Sequence, residues 1–365
     1  MYKQQQEHKG PVLIEKAGDN IFYNASFVNN NDIGDFHPIP MTFTEVRTTP
    51  LLPGNTLDYQ LSVVKFDIPT ASIPIQFFPV QDGTLNTSTY SVTISWNGNV
   101  EQVYLVWNPE DLNATIPVPP YSSAQAALHP FYYAMYNYEH FMRMINAALA
   151  TAHAQIFAAG APVLANVPPF LFFNSATNLI SLYGPIAYDS TAATPVNIYF
   201  NNVLFFNFER SFPSELNSLN DPQGQDLQLL VHNNIINQET VSGNSYYVMT
   251  QEYPALVLML DVVSIVLTSN SLPVRNEWIA QEGVSSNAYL SLISDYHINF
   301  TIGNELRNRL YYIPTAQYRY ATMTSTLPIQ TIDLQFYWRS WNGQLYPIYI
   351  YPNEEGAVKI LFEKK

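Results

Sequence analysis

A chain of 365 residues with 15 basic and 29 acidic side chains has a net charge of −14, which repels a phosphate backbone, and neither end carries a basic arm. Charged residues are only 12% of the total, about half the share of an ordinary soluble domain, while Tyr (26), Phe (21) and Pro (26) are abundant. The absence of cysteine excludes disulfides, thiolate zinc sites and thiol nucleophiles.

Residues 1–20 read as a flexible N-terminal arm with no apolar stretch, so no signal peptide is expected. Strands are expected at Ile21–Asn29, at Met41–Thr48, where Phe43, Glu45 and Arg47 alternate with Thr44 and Val46, and at Tyr59–Ile68. Thr89–Trp96, a turn at Asn97-Gly98, and Glu101–Trp107 form a hairpin pattern. A Pro-rich connection runs from 108 to 137. After it comes the one convincing helix, at about Tyr138–Phe157. Its residues Phe141, Ile145, Leu149, Ala152 and Ile156 share a face at spacings of three and four. A second Pro-rich loop, 158–169, precedes a hairpin of Phe170–Phe173 and Leu179–Leu182.

Asn197–Asn201 and Val203–Phe206 are read as strands, as are Gln228–Val231, Tyr246–Thr250, Val262–Thr268, Asp295–Ile302 and Tyr318–Met323. The longest apolar run, Ala255–Leu267, is broken by Asp261 and is too short to span a bilayer, so no membrane span is expected. The chain closes on Ile332–Trp338, a turn at Asn342-Gly343, Tyr346–Ile350, and a last strand, Ala357–Phe362: a hairpin plus a closing strand. A dozen or so short strands separated by turns define an all-β chain of sandwich or jelly-roll type. Aromatic side chains bury roughly 150–250 Å² each. This chain has more of them than a sandwich core needs, so part of its aromatic surface is expected to lie against other copies.

Candidate chemistry is thin. Asp32, Asp35 and His37 stand close in sequence, but their spacing is that of a polar turn. The histidines at 8, 37, 129, 140, 153, 232 and 297 form no ligand pair at helical spacing, and His140 reads as a surface residue. Glu252, Asp261, Glu277, Glu282 and Asp295 supply carboxylates for a glycosidase pair without fixing any separation. There is no G-x-S-x-G elbow and no phosphate-binding glycine loop. Trp338 and Trp341 flank the final turn and, exposed together, would suit sugar stacking; core or subunit contact is the plainer reading. Ser269-Asn270-Ser271 reads as a turn ending an apolar strand, with an exposed loop from there to Tyr289. No catalytic residue, cofactor or metal ligand is assigned.

The segment Tyr138-Glu139-His140-Phe141-Met142-Arg143-Met144-Ile145-Asn146-Ala147-Ala148-Leu149, the hairpin that follows it, the run Ile198–Phe206 and the ending 332–365 resemble, in that order, the vertex (penton) minor capsid proteins of the Polinton-like, adintovirus and virophage lineage of double-stranded DNA viruses. The family's Leu-Leu-Gly-Phe stop is here Leu204-Phe205-Phe206-Asn207-Phe208. The resemblance implies a jelly roll, homopentamers at icosahedral vertices beside a major capsid protein, residence in the virion, and no enzymatic activity.

The reading is therefore a single jelly-roll β-sandwich with insertions and one helix at about 138–157. Residues 21–365 form the capsid domain, with a helix-containing insertion at about 108–169. A compact double jelly roll, as in a trimeric major capsid protein, and a carbohydrate-binding β protein are the other arrangements. The double jelly roll requires two similar halves, 1–190 and 191–365.

Overall fold

The structure is a computed structural model. It describes residues 20–31, 38–79, 88–108, 132–208, 211–217, 226–233, 237–255, 260–274, 277–279, 290–297, 309–314, 319–341 and 343–365. Three strands lead: β1 (Asn20–Val28), β2 (Thr42–Val46) and β3 (Tyr59–Pro69). A long middle section follows with β4 (Ser91–Trp96), β5 (Asn99–Tyr104), α1 (Tyr138–Ala158), β6 (Phe170–Asn174), β7 (Leu179–Pro185) and β8 (Asn197–Phe200). It continues through α2 (Asn202–Phe206), β9 (Ser214–Asn217), β10 (Asp226–Leu229), β11 (Gln238–Val241) and β12 (Asn244–Thr250). The last part of the chain carries β13 (Val262–Thr268), β14 (Leu290–His297), β15 (Arg309–Tyr312), β16 (Thr331–Ser340) and β17 (Glu355–Lys364), with shorter strands at Glu277–Ile279, Ala321–Thr322, Leu345–Pro347 and Tyr349–Ile350 between them.

The leading and final strands make one body of two antiparallel sheets, ordered β1-β17-β3-β15 and β2-β16-β13-β14. Counted in chain order within this body, the orders are 1-8-3-6 and 2-7-4-5, which is the jelly-roll winding. Alternation drives it. On β16, Ile332, Leu334, Phe336 and Trp338 point inward and are buried, while Asp333, Gln335, Tyr337 and Arg339 between them are half-buried on the outer face. Phe336 meets the rings of Phe27 at 5.5 Å and Phe66 at 5.6 Å, within aromatic contact range. These side chains belong to one core assembled from residues 21–73 and 262–362.

Residues 75–260 build a second core of their own, nested between β3 and β13. Its sheets are ordered β11-β12-β7-β6 and β9-β10-β8-β4-β5. They are joined largely by hairpins between chain neighbours and do not repeat the jelly-roll order. The β4–β5 hairpin turns at Asn97 (φ 47°) and Gly98 (φ 84°), the two positive φ values that a type I′ turn requires. Helix α1 starts where the Asn137 side chain accepts the His140 N–H at 2.6 Å. Its predicted face, Phe141, Ile145, Leu149, Ala152 and Ile156, is buried throughout. Asn146, on a flank of that helix, accepts the Leu171 N–H (2.7 Å) and donates to the Leu171 carbonyl (2.8 Å), so one side chain pairs with β6 as a neighbouring strand would.

Several expectations change. His140 is buried, not at the surface: Tyr138, Met142 and Met144 are buried too, so α1 is covered around most of its girth. The His140 Nε2 faces the Asn108 carbonyl, and its ring meets Trp107 edge-on. Val203–Phe206 is helical because the Asn201 side chain caps it, accepting the Leu204 N–H at 3.2 Å, while Leu204 and Phe205 turn inward. Of the strand expected at Asp295–Ile302, the part up to His297 is strand, in an element that begins earlier, at Leu290, while 298–302 lie outside the described residues; Glu277–Ile279, expected in a loop, pairs with this strand. The final hairpin, as expected, forms between β16 and Leu345–Pro347, and the closing strand β17 does close the jelly roll, pairing between β1 and β3. Among the described residues the strands do not divide into two similar jelly-roll halves at 1–190 and 191–365, since one core is nested within the other. The arm (1–20) up to residue 19, Asp32–His37 and most of the Pro-rich 108–137 segment lie outside the described residues.

Candidate assembly surfaces and the junction between the two bodies

The chain passes between the bodies twice, at 73–77 and at 260–262, and the two crossings lie side by side. The Asp261 N–H donates to the Ile75 carbonyl at 3.0 Å, and its Oδ2 accepts the Phe77 N–H at 2.7 Å. The Trp341 N–H donates to the Asp261 carbonyl at 3.1 Å, and the Trp341 indole N–H to the Leu260 carbonyl at 2.7 Å. Phe77 sets its ring against Trp338 (5.7 Å) and Tyr346 (5.6 Å) of the jelly-roll core, while Ile75 and Phe78 on either side of it lie in the nested core. Gln76 donates to the Tyr90 hydroxyl (3.1 Å) and to Asn207 Oδ1 (3.0 Å) inside the nested body. Burial pushes the Asp261 carboxyl up to about 6, with the Phe77 N–H pulling the other way.

Two surfaces keep large apolar side chains in water. The first is the β1-β17-β3-β15 sheet, whose opposite margins both carry them: Phe22 and Val28 on β1, Tyr311 on β15 and Ile313 just beyond it. The Lys359 ammonium lies 5.3 Å over the Phe22 ring. The second is the outward face of β6, β7 and β12. Phe170 stacks on Tyr183 at 4.6 Å, Tyr246 closes edge-on to Phe170 at 5.3 Å, and Phe172 stands half exposed beside them. The Tyr183 hydroxyl donates to Glu239 at 3.0 Å; burial first, and then this carboxylate, raise its pKa.

The Ser269-Asn270-Ser271 turn wraps a carboxylate of its own chain. Asp333 Oδ1 accepts from the Ser269 hydroxyl (2.9 Å), the Asn270 N–H (3.0 Å) and the Ser271 N–H (2.6 Å). Burial raises the Asp333 pKa, but these hydrogen bonds outweigh it and hold the carboxyl below its usual range. Its stabilising contribution is therefore present above about pH 4 and is lost as the pH falls through the depressed value. Asp333→Ala leaves these donors without their acceptor and is expected to cost about 3 kcal/mol in urea unfolding at neutral pH. A loss below about 1 kcal/mol would show that solvent replaces the carboxylate.

Of the other candidate residues, Trp338 and Trp341 are not exposed together. Trp338 is 2% exposed and stacks on Tyr346 at 4.4 Å, whereas Trp341 is 69% exposed. Trp338 lies on the inward face of β16 and Trp341 in the turn that follows it, so they form no paired sugar platform. Glu252 lies in the nested segment, its N–H on the Ser211 carbonyl, while Asp295 sits on β14 of the jelly roll and pairs with Arg319 at 3.1 Å. The two carboxylates thus belong to different bodies. His153 is held between the Tyr188 hydroxyl (2.7 Å) and the Leu164 carbonyl (2.9 Å). Among the described residues no group of His, Asp or Glu could hold a metal, and no helix is long and apolar enough to cross a membrane. Sequence reasoning missed Asn146 and the linking role of Asp261. The signal available for the latter was a single carboxylate interrupting the longest apolar run.

A jelly roll carrying a nested β body, with bare apolar margins and its polar groups engaged in holding the fold, is a shell-building β protein. The chain belongs to the Sputnik minor capsid protein V18/19 family, whose model matches residues 21–364, and it is a structural protein of the virion. It is 32% identical over 204 residues to structural protein V19 of Sputnik virophage, covering 53% of this chain and 93% of that protein. It is 36% identical over 138 residues to protein V18 of the same virophage, covering 36% of this chain and 80% of that one. A chain in the cryo-EM structure of the Sputnik virophage superposes with a TM-score of 0.77 at 32% identity, over 95% of this chain and 98% of that chain. The crystal structure of the mavirus penton protein shares the fold, with a TM-score of 0.62 at 17% identity over 95% of this chain and 99% of that one.

Proposed function

We propose that this chain is the vertex subunit of an icosahedral shell, five copies closing a ring that sits among major capsid proteins. The observation that carries the reading is the single jelly roll. A face protein built as two fused jelly rolls needs the winding twice, and the nested body lacks it. The bare margins add support. A ring uses two different surfaces of each copy, one against the next, and the sheet offers Phe22 and Val28 on one edge and Tyr311 and Ile313 near the other. The arm 1–20 and the Pro-rich stretches 108–137 and 158–169 serve as contacts with neighbours, and the chain has no catalytic role.

Charge suggests the orientation. Between residues 75 and 260 there is no lysine, and the only arginines are Arg143 and Arg210. The nested body therefore points away from a polyanionic genome.

The test is the mass of the purified full-length protein by light scattering, with negative-stain images. A five-membered ring supports the reading, a trimer moves the chain to the shell faces, and a monomer at high concentration overturns both. Tyr311→Glu with Ile313→Asp is expected to shift the ring to monomer with the thermal transition unchanged. A ring that persists in this variant removes that margin from the interface.

A further inference from the structure

We infer that Asp261 is a proton-operated latch between the two bodies, holding the nested body more tightly to the jelly roll in acid than at neutral pH. The geometry puts a single residue in control of both crossings. Its N–H holds the outgoing strand through Ile75, its carboxyl holds the same strand through Phe77, and its carbonyl takes the Trp341 N–H of the jelly roll. Parting the two crossing strands breaks the bonds to Ile75 and Phe77, lifting the jelly-roll turn off them breaks the bond to Trp341, and opening the junction in this way exposes the carboxyl to water.

The titratable neighbours are few. The strand 76–79 brings Gln76 and Phe77, neither of which ionises. The Tyr90 phenol is pushed up to about 12, by burial first and partly by the Asp261 charge. Arg339, two residues before Trp341, makes no ion pair with Asp261 among the described residues. A carboxylate shut in this way is penalised when charged and relieved when it takes a proton.

The sign follows from its titration. In the closed junction the carboxyl protonates near 6, against 3.8 when exposed. Below the exposed value both states carry the proton and closure is at its strongest; closure weakens as the pH rises through about 6. The full span is roughly a hundredfold in the closing equilibrium. His153 acts in the opposite sense. Burial lowers its pKa, so acid destabilises the nested core around it. The latch must therefore be read locally.

The experiment is hydrogen exchange by mass spectrometry on the full-length protein at pH 4.5 and 7.5, corrected for intrinsic exchange, following peptides across 74–79 and, as a global reference, across 355–364. Protection of 74–79 relative to the reference is expected to be at least tenfold greater at pH 4.5. In Asp261→Asn, which keeps an acceptor but cannot ionise, the difference disappears and protection at pH 7.5 rises to the acid level. A flat wild-type ratio overturns the proposal whether or not the variant folds. So does a variant that keeps the wild-type slope. Neither outcome depends on how many copies form the ring.

Discussion

Removing residues 355–365 is expected to leave a chain that does not fold. The segment is last in sequence but central in its sheet, since β17 is flanked by β1 along one edge and β3 along the other. Its deletion strips both neighbours of their ladder partners at once. It also takes Val358, Ile360 and Phe362 out of the core, where each is 2% exposed or less. Losing side chains of this kind costs about 2–5 kcal/mol apiece, and a whole domain is stabilised by only about 5–15 kcal/mol. The truncated protein should lack a cooperative thermal transition and near-ultraviolet circular dichroism, and should bind a hydrophobic dye. A cooperative transition within about three degrees of the full-length protein, a margin of about 2 kcal/mol at this size, would show that β1 and β3 can pair without it.

Trp338→Ala carries the second-largest effect, about 4 kcal/mol in urea unfolding. Trp338 stacks on Tyr346 and touches Phe77, so it serves both the jelly-roll core and the seat of the nested body. The cavity it leaves cannot collapse easily, because the rings around it are held on separate strands. The same substitution at Trp341 is expected to cost about 1 kcal/mol, chiefly the indole hydrogen bond to Leu260, because its ring is mostly in solvent. Equal losses at the two positions would show that the exposed ring is packed against a sister copy in the assembled state.

That contrast shows what was legible in the residues and what was not. The alternation from Thr331 to Ser340 marks Trp338 as inward and Arg339 as outward, and the three-residue step to Trp341 crosses the turn, where alternation no longer applies. The hairpin at Asn97-Gly98, the helix face from Phe141 to Ile156 and the strand at Tyr59–Ile68 were similarly readable, because local periodicity and turn chemistry specify them. The burial of His140 was hidden because periodicity names the most apolar face of a helix, not how much of its girth neighbours will cover. Asp333 looked like an ordinary outward strand residue because its partners lie 62–64 positions away.

The amino-acid sequence by itself determined the strands with clear alternation or turn signals, the inward faces of those strands, the single long helix and the aromatic, charge-poor character that suits a shell protein. Only the tertiary structure decided that β17 lies between β1 and β3, that residues 75–260 form a nested core, and that Asp261 ties the two crossings together. The physical reason is that side-chain alternation encodes which face of a strand is buried, whereas strand neighbours are joined by backbone hydrogen bonds that are the same for nearly every residue. Which strand sits beside which is settled only when distant apolar faces find a shared interior.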